Sequence, residues 1–293
     1  MGFRTVVITK HCKCSYKNDY LVIRTDELKM IHLSEIDTVI FETPAVSITG
    51  VLLNELSQRR IGILFCNERH LPQGTFVPIT GNYISAGRIM AQAAWDNASK
   101  DIVWKEIVKH KIDKQASLLE HHKHFEEAML LRSYIDQVEE GDSTNREGFA
   151  AKVFFNALFG SDFARSDLSR NSECNACLDY GYSVLLAMVA KEVSAAGYEL
   201  ALGIHHRGTT NPYNLACDVM EPFRPIVDNI VVKAFDGVLS QEMKQCFWGL
   251  GNIEVYYGGI KSYLASSIGG YARDICRCMN EGGGLPMIYD CVW

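Results

Sequence analysis

The sequence predicts an α+β fold, in which a small N-terminal β-rich domain over residues 1–86 is followed by a larger all-helical domain over residues 87–293. Short runs of β-branched and aromatic residues fill the first third of the chain, whereas long helical patterns begin near Gly87. A chain of 293 residues that is 47% hydrophobic is also long enough to bury a core in each part.

The first domain is predicted to be a small sheet with one helix. Strands are expected at Thr5–Thr9, Tyr20–Ile23, Thr38–Phe41 and Ile61–Phe65, because these runs are rich in strand-forming residues and are separated by polar turns. Between the last two strands, Ser47–Arg60 carries apolar residues at helical spacing and is predicted to be a helix.

The second domain is predicted to be built from long helices. Apolar spacing places them at Met90–Lys109, Lys111–Glu139, Arg146–Phe159, Asp179–Gly197 and a proline-interrupted segment, Asn214–Lys233. The two domains are expected to join near Gly81 to Gly87, and the glycine-rich GGGLP stretch near the C-terminus is expected to be a mobile tail.

Composition narrows the class of protein. The net charge of -6 and the pI of about 5.9 argue against a protein that coats nucleic acid through overall positive charge, but they leave room for a local basic face. The longest apolar run falls short of the roughly 20 residues that cross a bilayer, and the first residues lack the apolar core of a signal peptide. We therefore expect a cytoplasmic protein with no membrane contact.

The chain has 10 cysteines, which are expected to be reduced thiols in such a protein. Cys174 and Cys177 have the spacing of one half of a structural zinc site. A structural zinc usually needs two such pairs, so the ligand count favours ordinary buried or surface thiols over zinc.

Glu147 lies in the motif STNREG, immediately before an apolar helical pattern, and two interpretations are open. Thr144 to Glu147 fits a capping box, in which the glutamate reaches back to a free backbone amide. The alternative is a metal-binding carboxylate at the start of a helix.

A second acidic motif, DVMEPFRP, combines Asp218 and Glu221 at helical i, i+3 spacing with Pro222 and Pro225. A solvated helix face is the ordinary interpretation of such a pair, but the apolar stripe that begins at Phe223 indicates a packed segment. The prolines are tolerated if a helix breaks or restarts at Pro222, which would point Glu221 away from its helical neighbours.

Histidines occur at two places that bear on metal binding. His205 and His206 form a doublet upstream of DVMEPFRP, and one imidazole with several carboxylates makes a mixed nitrogen and oxygen site suited to Mg²⁺ or Mn²⁺ and to phosphate chemistry. His121, His122 and His124 are instead interpreted as part of a solvated helical face, because adjacent helical residues point about 100° apart.

Several motifs in the same order closely resemble those of the CRISPR adaptation integrases, the nuclease subunits that insert new spacers into a CRISPR array. They are SYKNDYL, HLSEID, STNREG, LDYGY and DVMEPFRP, and the likeness covers essentially the whole chain. The sequence looks most like the type II branch, which is found beside a single-protein RNA-guided effector.

The resemblance implies that the helical domain is catalytic and that the protein is a homodimer. In that family two dimers flank a dimer of a small companion subunit, forming a heterohexamer that holds double-stranded DNA, and the effector nuclease and a further adaptation protein are additional candidate partners. The family's metal ligands match Glu147, His206 and Glu221, with Asp218 as an extra carboxylate nearby. The choice of His206 over His205 depends on the register of the loop.

The implied reaction is transesterification, in which a 3′-hydroxyl of spacer DNA attacks a phosphodiester at a repeat border with Mg²⁺ or Mn²⁺ as cofactor. Two alternatives stay open: a catalytically inactive DNA-binding scaffold, and a stand-alone nuclease of branched DNA. Basic residues near the ligands in sequence are the candidates for DNA phosphate contacts. They are Arg146, Lys152, Arg165, Arg170, Arg207 and Arg224.

Overall fold

The computed structural model describes residues 4–76, 85–165, 172–285, 289–291 and 293. Within those ranges, no helix has both the length and the apolar character of a membrane span. The predicted α+β fold class is confirmed, with sheets at the N-terminus and mostly helices after them.

Two four-stranded sheets form the N-terminal part. The strands are β1 (Arg4–Ile8), β2 (Cys12–Lys17), β3 (Tyr20–Arg24), β4 (Leu28–His32), β5 (Ile36–Phe41), β6 (Val46–Ile48), β7 (Gly62–Cys66) and β8 (Pro72–Thr75). One sheet has the order β1-β5-β7-β8, in which the first three strands are parallel and β8 is antiparallel; the other has the order β4-β3-β2-β6.

All of the predicted strands in this part are present, and four further strands, β2, β4, β6 and β8, were not predicted, because they are short or lack a run of β-branched residues. The predicted helix Ser47–Arg60 is shorter, because β6 occupies its first residues and helix α1 spans Gly50–Gln58. Thr49 caps α1 by accepting a hydrogen bond from the backbone N–H of Leu52 at 3.3 Å. Leu52 and Leu56 are its buried residues.

The rest of the chain is dominated by helices. They are α2 (Ser85–Ala93), α3 (Asn97–His121), α4 (Phe125–Ile135), α5 (Arg146–Phe159), α6 (Ser172–Ala195), α7 (Asn214–Met220), α8 (Arg224–Ala234), α9 (Gln241–Trp248) and α10 (Leu264–Glu281). The predicted domain boundary between residues 86 and 87 falls inside α2, which begins at Ser85. The division of the chain into two domains at this point stays a prediction.

The predicted break between Lys109 and Lys111 is wrong, because α3 runs through both residues and ends at His121. Lys123 adopts a left-handed conformation with φ of 67°, which stops the helix. His121, His122 and His124 therefore lie at the turn between α3 and α4, and not on one continuous helical face as expected. At this turn the Nε2 of His122 is 2.9 Å from Oδ1 of Asn229.

A three-stranded antiparallel sheet, which the helical pattern did not predict, is added near the C-terminus. Its strands are β9 (Glu254–Tyr257), β10 (Ile260–Tyr263) and β11 (Asp290–Cys291). The mobility of the GGGLP stretch stays a prediction, but described residues beyond Gly284 pack against the protein. Leu285 and Tyr289 are buried, and the indole of Trp293 donates to Oγ of Ser117 at 2.8 Å.

The main core joins the helices to the first sheet. Ile40, Leu64 and Cys66 belong to the same buried cluster as the helical core. At Gly181 in α6, an added Cβ would lie 2.5 Å from both Phe247 and Val227, so glycine is what lets α8 and α9 pack so closely on α6.

Cys174 and Cys177 are both free, buried thiols near the start of α6. Burial raises the pKa of Cys174 to about 11 and that of Cys177 to about 12, so both are protonated at neutral pH. The thiol of Cys177 donates to the carbonyl of Val238 at 3.8 Å.

Candidate active site

Glu147 lies in the first turn of α5, and its side chain does not cap the helix. The carboxylate of Asp142 accepts from the backbone N–H groups of Arg146 at 2.8 Å and Glu147 at 3.0 Å. The capping-box interpretation is therefore wrong: the helix begins at Arg146, and Asp142 satisfies the amides that the box would have used. Glu147 is left to point toward α3.

Glu221 sits at the break that its prolines predicted. Helix α7 ends at Met220, a short 3₁₀ turn covers Glu221–Phe223, and α8 begins at Arg224. Phe223 anchors the break by stacking on Tyr289, with ring centroids 5.0 Å apart. The carboxylate of Glu221 is buried and points into the helical core.

The two glutamates meet at one ammonium group. Nζ of Lys111 in α3 lies 2.5 Å from Oε1 of Glu147 and 2.5 Å from Oε2 of Glu221. The other oxygen of Glu221, Oε1, is 3.0 Å from the guanidinium of Arg224. Elements that are far apart in sequence thus direct both carboxylates toward a single cation.

The pKa values of Glu221 and Lys111 are both shifted toward the charged forms. Burial alone would raise the pKa of Glu221, but the charges of Arg224 and Lys111 outweigh it and hold this pKa at about 2. Burial alone would lower the pKa of Lys111, but Glu221 and Glu147 reverse this and hold it above its ordinary value. The site is a buried ion network.

His206 is oriented by Asp218, which is fully buried. Nδ1 of His206 is 2.7 Å from Oδ1 of Asp218, and the same carboxylate accepts from the backbone N–H groups of Ile204, His205 and His206. The hydrogen bond to Asp218 raises the pKa of His206, and the charges of Glu221 and Glu147 raise it further. The charges of both glutamates therefore act on His206, and Asp218 holds its ring.

Gly203 makes this loop achievable. A Cβ at position 203 would lie 2.3 Å from the carbonyl oxygen of His206 and 2.8 Å from Oδ2 of Asp218. Any side chain there would displace the backbone that presents His206.

Trp104 of α3 separates the roles of the two histidines. The ring of His205 lies flat on the buried indole, with centroids 4.2 Å apart and an interplanar angle of 4°. His206 meets the same indole edge-on, at 5.8 Å and 90°. The doublet thus places its two rings perpendicular to each other, and it is His206 that shares Asp218 and the two glutamates.

These residues suit a divalent metal by the types of their donor atoms, and not by their present arrangement. As they stand, the residues that the structure describes contain no group of three or more His, Cys, Asp or Glu side chains arranged to hold a metal ion. Two features keep the acidic side chains from forming such a group. The Lys111 ammonium lies between Glu147 and Glu221, and both carboxylate oxygens of Asp218 accept hydrogen bonds from the loop that contains His206. The donors themselves, two carboxylates that converge on a cation and one imidazole, are of the kind that suits Mg²⁺ or Mn²⁺.

The candidate DNA contacts fall into different environments. Lys152 and Arg207 are exposed, and Arg146 lies over the rings of Tyr134 and Phe149. Arg165 pairs with Asp179 at 2.6 Å, and Arg224 pairs with Glu221. Arg170 lies outside the described residues.

An open cavity of about 630 Å³ lies beside His206. Its lining is mostly apolar surface, with the polar or basic side chains of Gln92, Lys100, Arg207 and Asn211 among it. His206 therefore faces a space large enough for part of a substrate.

Sequence reasoning missed Lys111, Trp104 and Asp142. The helical pattern offered Lys111 only as the first residue of a predicted helix, and Trp104 only as an apolar position. Asp142 precedes α5 by four residues, and the competing Thr144 motif masked it.

Comparison with known proteins gives the family. Residues 5–243 match the family described as CRISPR associated protein Cas1. The chain is 34% identical over 245 residues to the CRISPR-associated endonuclease Cas1 of Neisseria meningitidis serogroup C, covering 83% of this chain and 80% of that protein. It is 25% identical over 232 residues to a CRISPR-associated endonuclease Cas1 of Francisella tularensis subsp. novicida, covering 73% of each.

Solved structures share the fold. A Cas1 protein from Thermotoga maritima matches with a TM-score of 0.77 at 18% identity, covering 97% of this chain and 99% of that chain. A casposase bound to an integration product matches with a TM-score of 0.78 at 18% identity, covering 97% and 93%. With the family match and the Neisseria relative, these findings show that the chain belongs to the Cas1 family of CRISPR-associated proteins.

Proposed function

We propose that this chain is a metal-dependent DNA integrase and endonuclease of CRISPR adaptation. The observation that carries the proposal is the convergence of Glu147 and Glu221 on one cation position, and the charges of both also raise the pKa of His206. The names of the curated relatives, which are CRISPR-associated endonucleases, support the nuclease part. The casposase, a structural neighbour bound to an integration product, supports the integrase part.

The proposed reaction exchanges one phosphodiester for another. The 3′-hydroxyl of the spacer DNA attacks a phosphorus at the repeat border, a new P–O bond forms, and the bond to the flanking 3′ oxygen breaks. The proton lost by the attacking hydroxyl is balanced by the proton gained by the leaving oxygen. With water as the nucleophile, the same chemistry is hydrolysis.

The residues divide the work by position. Glu147, His206 and Glu221 are the groups that would hold Mg²⁺ or Mn²⁺, which activates a hydroxyl and offsets charge on the phosphate when bound. Asp218 fixes the ring of His206 through Nδ1 and so leaves Nε2 as the donor atom. Arg224 fixes Oε1 of Glu221 from behind.

The proposed assembly is a homodimer that joins a small companion subunit in a heterohexamer on double-stranded DNA, in the cytoplasm. Structural neighbours support the companion, since one is a Cas6-RT-Cas1–Cas2 complex with a TM-score of 0.70 that covers 99% of this chain and 36% of that chain. Lys152 and Arg207 are exposed and are the first of the candidate phosphate contacts to test. The effector nuclease and a further adaptation protein stay predictions.

The test is a strand-transfer assay with labelled DNA carrying free 3′-hydroxyl ends, a plasmid with a repeat array, Mn²⁺ or Mg²⁺, and the companion subunit. We expect joining at repeat borders, and a loss of about 100-fold or more in Glu147→Ala, His206→Ala and Glu221→Ala. His205→Ala is the matched control and is expected to retain joining within about tenfold, since its ring only stacks on Trp104.

Two results would contradict the proposal. If wild type and all variants bind DNA alike and none joins it, the protein is a scaffold. If wild type cleaves branched DNA with no need of the repeat or the companion subunit, it is a stand-alone nuclease.

A further inference from the structure

We propose that Lys111 is a positioning residue that occupies the cation position between Glu147 and Glu221 until a divalent metal displaces it. This inference rests on the proposed function, because it requires that these two glutamates bind metal. It assigns to Lys111 a function in assembling the site. Nζ of Lys111 lies 2.5 Å from each carboxylate, and this lysine is buried.

Without a cation between them, the two carboxylates would repel each other inside the protein. Glu221 is 3% exposed, so water cannot compensate its charge. Lys111 supplies one positive charge and Arg224 a second, which together balance Glu147 and Glu221. The site is thereby held in a converged geometry in the absence of metal.

The same balance means that a divalent ion cannot simply be added. A doubly charged ion beside the Lys111 ammonium would bring like charges to within a few ångströms in a poorly hydrated space. The glutamate oxygens that face Lys111 are also the ones a metal would need. Lysine is suited to leave, since its charge is compact and its four-carbon stem is flexible.

Displacement predicts an unusual response to mutation. Replacing Lys111 by a neutral side chain of similar length removes a competitor for the carboxylates, so divalent metal should bind more tightly. The metal-free protein should become less stable, because Glu221 is left buried with one partner fewer. A purely structural lysine predicts the opposite for metal affinity, since loss of the converged geometry would weaken binding.

The experiment titrates Mn²⁺ into the full chain and follows free Mn²⁺ by electron paramagnetic resonance, with thermal melting in EDTA and in saturating Mn²⁺. The variants are Lys111→Met and Lys111→Gln. Lys114→Met is the matched control, because Lys114 is equally buried in α3 but pairs with Asp113 and Asp290 at 3.0 and 3.1 Å.

For Lys111→Met we expect a Kd for Mn²⁺ at least about tenfold lower than that of wild type. In wild type, Mn²⁺ must break a hydrogen bond between Lys111 and a glutamate before it binds, and a factor of about ten corresponds to one such bond. We also expect a lower Tm in EDTA and a larger rise on adding Mn²⁺. Lys111→Gln should behave similarly. Lys114→Met should melt earlier than wild type but bind Mn²⁺ with the wild-type Kd.

The failures are distinguishable. If wild type binds Mn²⁺ and both Lys111 variants bind it equally or more weakly, displacement is overturned and the metal site stands. If wild type and every variant leave Mn²⁺ free, the metal site of the proposed function is itself wrong, and displacement falls with it.

Discussion

At the scale of single residues, a second buried carboxylate lies behind the site. Asp228 of α8 is 1% exposed and accepts a hydrogen bond from the hydroxyl of Tyr182, whose ring also carries the guanidinium of Arg224, 4.6 Å from the ring centroid. Burial raises the pKa of Asp228 to about 7, although Tyr182 and Arg224 oppose the shift. The carboxyl group that accepts from Tyr182, on whose ring Arg224 lies, therefore titrates near neutral pH.

This raised pKa predicts a pH-dependent stability. Between the ordinary aspartate pKa near 4 and about 7, the folded protein binds the proton of Asp228 more tightly than the unfolded chain does. The contribution of Asp228 to the free energy of unfolding is thus fully present below pH 4. It falls by roughly 1.4 kcal/mol for each pH unit between pH 4 and about pH 7. Asp228→Asn should remove this slope.

The measurement is the free energy of urea unfolding of wild type and Asp228→Asn at pH 4.5, 5.5, 6.5 and 7.5. The difference between the two proteins should shift steadily in favour of the variant as the pH rises to 7, and then level off. A difference that is constant across this range would contradict a raised pKa.

Sequence reasoning could select side chains that have metal-binding chemistry of their own, but not residues whose role a distant partner decides. Residue type, motif and the family resemblance select Glu147, His206 and Glu221, whose roles stay predictions, and the structure brings Glu147 and Glu221 to one ammonium group. Lys111 was not chosen, because its contacts come from residues 36 and 110 positions away along the chain. No local pattern records such distances.

At the scale of elements, helix starts and breaks decide where the carboxylates point. The break at Glu221 was predictable, since Pro222 and Pro225 disfavour a continuous helix. The start of α5 was not, because STNREG satisfies the capping-box pattern while Asp142, further upstream, does the capping. The end of α3 depends on the left-handed conformation of Lys123, and a lysine in the sequence does not predict a helix end.

Asp142 is predicted to stabilise the start of α5. Asp142→Ala removes the acceptor for two backbone N–H groups, at a position with φ of 52°, which alanine adopts poorly. We expect a loss of about 1–2 kcal/mol in the free energy of unfolding, measured in denaturant.

Asp142→Asn is the intermediate variant. Asparagine tolerates the left-handed conformation, but it keeps an acceptor for only one of the two N–H groups, because the second carboxylate oxygen becomes an NH2 donor. Its loss should be roughly half that of Asp142→Ala. A loss as large as that of Asp142→Ala would show that the one remaining hydrogen bond does not stabilise the helix start and that the charge of Asp142 does.

At the scale of the whole molecule, part of the first sheet packs in the helical core, and a second buried cluster lies among the two sheets and α1. Ile40 and Leu64 of the first sheet pack in the helical cluster, and Lys191 of α6 pairs with Asp37 of β5 at 2.8 Å. The fold class could be predicted from the change from short β-branched runs to long helical patterns along the sequence. The docking of the two parts did not, since Lys191 and Asp37 are 154 positions apart.

A shared core predicts cooperative unfolding. We expect one transition in differential scanning calorimetry, with the calorimetric enthalpy equal to the van't Hoff enthalpy, because separating the sheet from the helices would expose buried apolar surface on both. Two resolved transitions would show that residues 1–86 and 87–293 melt as independent domains.

The contact of Tyr289 with the Glu221 break has a consequence for synthesis. The hydroxyl of Tyr289 donates to the carbonyl of Pro222 at 2.8 Å, and its ring stacks on Phe223. During translation, the turn that presents Glu221 leaves the ribosome several seconds before Tyr289, at about 5–20 residues per second. A nascent chain therefore carries all of the proposed ligands before it has the residue that packs one of them in place, so we expect nuclease activity to mature only after Tyr289 has been released.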